Sequence, residues 1–232
     1  MKAEEKIRVV VVDDHPMVRQ MLKHMIGQQA DMTVCGEADS IQEALGIIET
    51  TRPDIAVVDI TLKGSSGLEL IKNLKAQDID VPVLVLSMHD EELYAERAIR
   101  AGARGYITKT EDSEEIMVAI RKVLAGGVYA SETFTAQLLS SLSTTGKQKQ
   151  GSVLSQLSDR ELEVFHLIGQ GRTTNEIAMT LNLGAKTVDT YRTRIKEKLG
   201  LKNATELHHR AVHWARSLDS RAMNSLTEET AG

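Results

Sequence analysis

Five short apolar runs, rich in β-branched residues, alternate with stretches of helical period in the first half of the chain. The runs IRVVVV at 7–12 and VPVLVL at 81–86 are typical of them. Continuous hydrophobic strands separated by helices indicate a parallel sheet covered on both faces. The pattern predicts an α/β doubly wound, five-stranded parallel sheet. Strands are predicted at 7–12, 32–36, 55–58, 81–86 and 105–107, and helices near 16–29, 40–51, 66–76, 90–101 and 113–125.

The alternation stops at Gly126-Gly127, and the second half of the 232-residue chain has a different character. After this pair the composition turns to Ser, Thr, Gln, Gly and Lys, which is typical of a linker. Beyond it only helical periodicity remains, in short segments. We therefore predict a first domain at 6–127, a linker at 128–154, an all-α domain at 155–216 and a polar tail at 217–232.

Charge separates the same two halves. Residues 1–127 hold 15 Lys and Arg against 22 Asp and Glu, a net charge of −7, whereas residues 152–216 hold 10 against 7, a net charge of +3. The formal net charge of −5 therefore conceals a basic second domain. Its densest part is the basic helix predicted at 186–202, which offers a face that can bind phosphates.

The apolar runs are much shorter than the ~20 residues that a membrane-spanning helix needs. The charged N-terminal segment also lacks the apolar core and cleavage site of a secretory signal. We expect a cytoplasmic protein that does not insert into a membrane.

Charged and hydroxyl side chains follow the predicted strands where ligands bind in open parallel sheets, outside the carboxyl ends. Asp13 and Asp14 follow the first strand, Asp59 the third, Ser87 the fourth and Lys109 the fifth. Three carboxylates at one edge repel one another unless a cation lies among them, and Mg²⁺ suits such oxygen ligands. An aspartate can also become an aspartyl phosphate, for which a metal and a cation spread the charge. Asp59 is the candidate nucleophile and Lys109 the candidate cation.

These residues carry a resemblance to the CheY-like receiver domain of two-component response regulators. The matching motifs are VVDDHP, VVDITLKGSSG, LVLSMHD and GYITKT. The resemblance implies that Asp59 is the phosphoacceptor. It also implies that Asp13, Asp14 and Asp59 bind Mg²⁺ together with the backbone carbonyl of Thr61.

By the same resemblance, Ser87 hydrogen-bonds the phosphoryl group, Lys109 forms an ion pair with it, and Tyr106 is the aromatic switch residue. Phosphorylation adds about two negative charges and three acceptor oxygens, which can draw Ser87 inward and free space for an aromatic ring. One departure is Lys63, in a loop where family members often carry Met-Pro. This extra cation could change the phosphoryl lifetime or kinase docking.

Two capping boxes predict helix starts in the second half: Ser158 with Glu161, and Thr173 with Glu176. A short turn at 182–185 then precedes the basic helix. Two helices joined by a tight turn, the second of them basic, predict a helix-turn-helix that can place its second helix in the major groove of DNA.

Val188, Ile195 and Leu199 share one face of the basic helix and are expected to pack inward. Arg194 suits a guanine edge and Asp189 a cytosine amino group, whereas lysines at the flanks suit phosphates. The alternative for each residue is a solvated face without a ligand. The candidate DNA contacts are Lys186, Thr187, Asp189, Thr190, Arg192, Thr193, Arg194 and Lys196.

The segment at 157–207, which begins LSDRELEVFHLIGQGRTTNEIA, resembles the LuxR-type DNA-binding domain. The chain as a whole therefore resembles the NarL/FixJ family of response regulators. The resemblance implies a four-helix domain with a recognition helix from about 186 to 199 and a last helix at 204–215. In the family this last helix commonly pairs with the same helix of a second copy. Family members frequently carry Ser where this chain has Gly184, which offers no side-chain oxygen as a cap.

Together these features predict a DNA-binding response regulator and not an enzyme. We expect a sensor histidine kinase or a small phosphodonor to phosphorylate Asp59 and so control sequence-specific DNA binding and transcription. We also expect a homodimer on paired half-sites of double-stranded DNA, with RNA polymerase as a possible further partner. Two alternatives stay open: a phosphatase or phosphotransferase, which needs further acid–base residues, and a signalling adaptor whose helix-turn-helix binds protein.

Overall fold

The computed structural model describes residues 6–63, 65–88, 91–132, 134–136 and 153–229. It divides the chain into two compact units, Met1–Gly146 and Lys147–Gly232. Most of the predicted linker, at 137–152, lies outside the described residues, as does the end of the predicted tail at 230–232. The predicted domain boundaries therefore stay predictions.

The apolar runs of the first unit form a five-stranded parallel sheet, which confirms the predicted fold class. Numbered along the chain, the strands lie in the order second, first, third, fourth and fifth across the sheet, with every pairing parallel. Of the three inner strands, the third and fourth along the chain are buried throughout and the first is buried from Val9 to Val12, as apolar strands between two helical layers must be. The strands are β1 (Ile7–Val12), β2 (Met32–Ala38), β3 (Ile55–Val58), β4 (Val83–Ser87) and β5 (Gly105–Thr108).

Five helices cover this sheet, within two residues of their predicted bounds. Val9 and Val11 of β1 share one buried cluster with Leu22 and Ile26 of the first helix and Ile120 of the fifth. The helices are α1 (Pro16–Gly27), α2 (Ile41–Thr51), α3 (Gly67–Ala76), α4 (Glu91–Ala101) and α5 (Ser113–Leu124).

Two features of this unit were not predicted. A two-residue ladder pairs Thr61–Leu62 with Ser65–Ser66 in the loop after β3. Tyr129 forms an isolated parallel bridge with Gly105 of β5, donating its N–H to the Arg104 carbonyl at 3.0 Å. The segment after α5 therefore pairs with the sheet edge at Tyr129.

The second unit is helical, as predicted. Both capping boxes are present at the starts of its first two helices. Phe165 packs against Trp214, with ring centroids 5.3 Å apart, and so joins the first helix of this unit to the last. After a 3₁₀ turn at Val153–Gln156, the helices are α6 (Asp159–Gly169), α7 (Thr174–Thr180), α8 (Ala185–Leu199) and α9 (Ala204–Glu229).

The last helix is longer than the predicted 204–215. The helix continues because residues 216–229 contain neither Gly nor Pro and include the helix formers Arg, Ala, Met, Leu and Glu. In the described part of the chain, no helix combines the length and apolar character needed to span a membrane.

Candidate functional site

Strand register brings the predicted carboxylates together. Val12 and Val58, the last residues of β1 and β3, pair with each other, so Asp13 and Asp59, which follow them, lie side by side. The Asp59 N–H donates to the Val12 carbonyl at 2.8 Å, and the Asp13 N–H donates to the Ala38 carbonyl at 3.1 Å. These bonds continue the sheet ladder by one step and fix the backbone beneath both side chains.

Lys109 closes the cluster from the end of β5. Its Nζ donates to Oδ2 of Asp13 at 2.6 Å and to Oδ2 of Asp59 at 2.8 Å, and all three side chains are buried. The Lys109 N–H also donates to the Ser87 carbonyl at 2.8 Å, which holds the ends of β4 and β5 together. Together with Asp14, these side chains form the acidic pocket (Asp13, Asp14, Asp59 and Lys109).

The pocket changes the protonation of its members. Burial raises the pKa of the Asp59 carboxyl to about 6, against the lowering effect of the Lys109 ammonium and with a further contribution from the Asp13 charge. Burial alone would lower the pKa of Lys109, but the charges of Asp59 and Asp13 raise it above its usual value. At neutral pH Asp59 is therefore ionised, as a nucleophile must be, and Lys109 remains a cation.

The loop after Asp59 brings the backbone of Gly67 close to the carbonyls of Asp59 and Ile60. The N–H of Gly67 donates to the Ile60 carbonyl at 2.6 Å. A Cβ at Gly67 would come within 1.9 Å of the Asp59 carbonyl oxygen, so only glycine fits this position. Thr61, whose carbonyl is a predicted metal ligand, lies in the short ladder of this loop, and its N–H helps to lower the pKa of Asp59.

Ser87 and Tyr106 lie on the two strands that complete this edge. Both side chains are fully buried, and β4 and β5 pair in register through Ser87 and Thr108. The Tyr106 N–H donates to the Tyr129 carbonyl at 2.9 Å. The predicted switch residue is thus bonded directly to the segment that follows α5.

Two further contacts at the pocket mouth were missed by sequence reasoning. The Nδ1 of His15 lies 2.7 Å from Oδ1 of Asp14 and 3.3 Å from Oδ1 of Asp13. Lys63 donates to Asp39 at 2.7 Å, which raises the pKa of Lys63 and lowers that of Asp39. The signal for the first was a histidine directly after the Asp pair, and for the second an acidic residue directly after β2.

The donor set fits a divalent cation. One ligand atom from each of Asp13, Asp14, His15 and Asp59 can be chosen so that all lie within 4.8 Å of one another. Carboxylate oxygens are the side-chain ligands that Mg²⁺ prefers, and a pocket with few of them leaves room for water and a phosphate.

The second unit forms the predicted helix-turn-helix from α7, a turn and α8. The carboxylate of Glu161 accepts from the Ser158 N–H at 2.7 Å and from the Lys198 ammonium at 2.6 Å, which ties the start of α6 to the end of α8. Burial alone would raise the pKa of Glu161, but these donors hold it below its usual range. Arg192 donates to the Thr174 hydroxyl at 3.3 Å and links α8 to α7.

The face of α8 predicted to pack inward does so. Val188 and Ile195 are fully buried, and Leu199 is half-buried. Gly184 caps the helix without a side-chain bond, as expected. Exposed residues among the candidate DNA contacts are Lys186, Thr187, Asp189, Thr190, Thr193 and Arg194, whereas Arg192 and Lys196 are half-buried.

Two of these candidate residues, Thr190 and Thr193, donate their hydroxyl protons to backbone carbonyls within the helix. The Thr190 hydroxyl donates to the Lys186 carbonyl at 2.9 Å, and the Thr193 hydroxyl donates to the Asp189 carbonyl at 3.0 Å. Both threonines therefore present a methyl group and an acceptor oxygen to the exterior, which suits a thymine methyl or a protein or nucleic-acid donor.

Both halves of the chain match known families. Residues 9–121 match the response regulator receiver domain, and residues 155–211 match the bacterial regulatory proteins of the luxR family.

Two response regulators and one solved structure are among the proteins similar to this chain. Response regulator UvrY of Escherichia coli (strain K12) is 33% identical over 89% of this chain and 94% of its own length. Response regulator GacA of Pseudomonas aeruginosa is 35% identical over 89% of this chain and 95% of its own length. A crystal structure of a LuxR-family two-component response regulator from Aurantimonas sp. SI85-9A1 is 33% identical and has a TM-score of 0.55. The match covers 60% of this chain and 99% of the chain in that structure.

Proposed function

Because the chain belongs to the NarL/FixJ family of response regulators and carries a LuxR-type DNA-binding domain, we propose that phosphorylation of Asp59 controls its binding to DNA. The observation that carries the proposal is the buried pairing of Lys109 with both Asp13 and Asp59 at the carboxyl ends of the strands. This arrangement offers an ionisable nucleophile beside a fixed cation, which is what phosphoryl transfer to a carboxylate requires.

In the proposed transfer, a carboxylate oxygen of Asp59 attacks the phosphorus of a phosphohistidine in a sensor kinase or of a small acyl phosphate. The new O–P bond forms as the P–N or P–O bond of the donor breaks, and the departing group keeps the electron pair. Lys109 stabilises the charge on the transferred group, and the Ser87 hydroxyl donates to one of its oxygens. The chain receives the phosphoryl group as a regulator and has no turnover of its own.

Mg²⁺ is the proposed cofactor, held by the carboxylates of Asp13, Asp14 and Asp59 and by the Thr61 carbonyl. Bound there, it would neutralise charge on the phosphoryl oxygens during transfer. The close set of oxygen donors supports this assignment.

Contacts around Tyr106 connect β5 and α4 to the segment that follows α5, and we propose that phosphorylation acts on the linker through them. Its N–H donates to the Tyr129 carbonyl, and two residues further on the Ser131 N–H donates to Oε1 of Glu91, at the start of α4, at 2.9 Å. A displacement of β5 or α4 that follows the inward movement of Ser87 therefore reaches 129–131, the start of the proposed linker at 128–154. We propose Tyr106 as the switch residue on this basis.

The output is proposed to be binding of α8 in the major groove. Arg194 and Asp189 would read base edges, with Lys186, Arg192 and Lys196 at phosphates and the threonines at phosphates or thymine methyls. The exposure of these side chains supports the assignment. A homodimer on paired half-sites and an RNA polymerase contact complete the proposal, with functional domains at 6–127 and 155–216 and a tail at 217–232.

Incubation with a ³²P-labelled acyl phosphate and Mg²⁺ tests the acceptor assignment. Asp59→Asn should abolish incorporation, because an amide is not a nucleophile for phosphorus here. The matched control is Asp54→Asn, at the opposite end of β3, where an exposed carboxylate accepts from the Arg8 N–H at 2.7 Å. Undiminished labelling of Asp59→Asn would place the phosphoryl group elsewhere.

A further inference from the structure

We propose that His15 is a metal ligand of the acidic pocket and gives it a preference for divalent transition metals over Mg²⁺. The inference rests on the proposed function, because it takes the pocket to be a divalent cation site. It assigns to His15 a role in selecting the ion.

One side of the His15 ring lies against the carboxylates. Its Nδ1 is 2.7 Å from Oδ1 of Asp14 and 3.3 Å from Oδ1 of Asp13, although the side chain as a whole is 60% exposed. One ring nitrogen thus faces the buried carboxylates. The rest of the ring is exposed, so a hydrated ion can reach the pocket from this side.

The carboxylate of Asp13 separates His15 from Lys109. Its Oδ2 accepts from Lys109 Nζ, whereas its Oδ1 accepts from the His15 N–H at 2.8 Å and lies near the ring. Lys109 therefore occupies the Asp59 side of the carboxylate. Oδ1 of Asp13, the Asp14 carboxylate and the imidazole form a second group of candidate metal ligands, which Lys109 does not contact.

The size of the cluster suits a six-coordinate ion. The four chosen ligand atoms, including one ring nitrogen, lie within 4.8 Å of one another. Opposed ligands around an octahedral ion with bonds of ~2.1 Å are ~4.2 Å apart. Shifts of a few tenths of an ångström would therefore bring all four atoms to bonding distance.

The backbone at His15 is fixed beside the pocket. His15 precedes Pro16, which occupies the first turn of α1, and its φ of −91° and ψ of 111° are extended, as proline favours for the residue before it. Its N–H is bonded to Asp13, which anchors the backbone, and the contact of Nδ1 with Asp14 holds the ring at the pocket. An imidazole fixed beside carboxylates favours transition metals, because nitrogen binds them more strongly than it binds Mg²⁺.

Pulsed EPR of the full chain with substoichiometric Mn²⁺ tests the proposal directly. Wild type should show ¹⁴N hyperfine coupling from one coordinated imidazole, and His15→Gln should lose it. Mn²⁺ affinity should fall about tenfold in His15→Gln, while Mg²⁺ affinity, measured by competition, should change less than about twofold. His24→Gln is the matched control, since His24 is exposed on α1, the helix that follows His15, and contacts Gln28; it should change neither quantity.

Asp14→Asn distinguishes this proposal from the proposed function. Mn²⁺ binding that is weakened by Asp14→Asn but shows no nitrogen coupling in wild type would overturn the role of His15 and leave the carboxylate site intact. Failure of wild type to bind Mn²⁺ or Mg²⁺ would overturn both. Nitrogen coupling that persists in His15→Gln would assign the signal to another histidine and also overturn the proposal.

Discussion

The acidic pocket and the exposed face of α8 are two charged sites built in opposite ways. In the pocket, Lys109 bonds two buried aspartates at once, so each charge depends on the others. On α8, Arg194 and Asp189 are exposed. A buried, shared cluster should respond strongly and non-additively to any single change, whereas exposed side chains should act separately. The first site suits a switch, and the second suits graded recognition of a ligand.

The largest expected effect is the pH dependence of stability that Asp59 introduces. Burial raises its pKa to about 6, so between its ordinary value and pH 6 the folded chain keeps a proton that the unfolded chain has released. The stability due to this proton is full below the unfolded pKa and is lost as the pH rises through about 6. A shift of two pKa units corresponds to about 3 kcal/mol.

Urea unfolding of metal-free protein between pH 4 and 7.5 measures this effect, with circular dichroism for the whole chain and Trp214 fluorescence for the second unit. Wild type should lose up to about 3 kcal/mol of unfolding free energy relative to Asp59→Asn across this range. The matched control for the loss of one carboxylate is Asp189→Asn, at an exposed position of α8. Parallel pH profiles for wild type and Asp59→Asn would contradict the strong coupling attributed to the pocket.

The next effect concerns DNA affinity. Arg194→Ala should weaken specific binding by about 1–3 kcal/mol and relax the preference at one base position, since a bidentate contact to guanine is worth that much. Arg100→Ala is the control, because Arg100 is an exposed arginine of the first unit paired with Glu96 at 2.6 Å. Quantitative binding to a selected site at fixed salt provides the measurement. Equal DNA affinity for both variants would show that Arg194 does not contribute to DNA binding.

A smaller effect is expected at the cap of α7. Thr173→Ala removes the acceptor for the Glu176 N–H and one partner of the capping box, so the second unit should lose about 1 kcal/mol of unfolding free energy. Trp214 fluorescence during urea unfolding reports it. Ser131→Ala, which removes the acceptor for the Phe134 N–H in the first unit, should leave the Trp214 transition unmoved; a shift there would show that the two units unfold together.

The smallest effect is at Gly184. Gly184→Ser supplies a cap oxygen to α8, and the nearest atom to its new Cβ would be the Thr187 hydroxyl at 3.7 Å, so there is room. The second unit should gain a few tenths of a kcal/mol. Gly184→Ala adds the same Cβ without an acceptor and should destabilise it. If both variants gave the same stability, capping would not limit this helix.

Sequence periodicity predicted most of the fold because buried strands and capping boxes are local signals. IRVVVV identified β1, and Ser158 with Glu161 identified the start of α6. Periodicity also separated Val188 and Ile195 from the exposed face of α8. It did not predict that Tyr129 pairs with β5, because nothing around this residue marks a strand.

The acidic pocket was only partly predictable. The order of residues after the strands identified Asp13, Asp59 and Lys109, but their distances depend on register between strands far apart in sequence. The contact of His15 with Asp14 depends on the backbone before Pro16, and a single histidine after an acidic pair is otherwise unremarkable. Side-chain contacts of this kind need the assembled sheet.

Selection of binding sites from random and genomic DNA tests the central claim most directly. Wild type and Asp59→Asn would be compared, each with Mg²⁺ and a phosphoryl mimic. The account predicts enrichment of a paired-site motif by wild type in the presence of the mimic and much weaker enrichment by Asp59→Asn. Equal enrichment by both would contradict phosphorylation control, and enrichment by neither would favour a helix-turn-helix that binds protein.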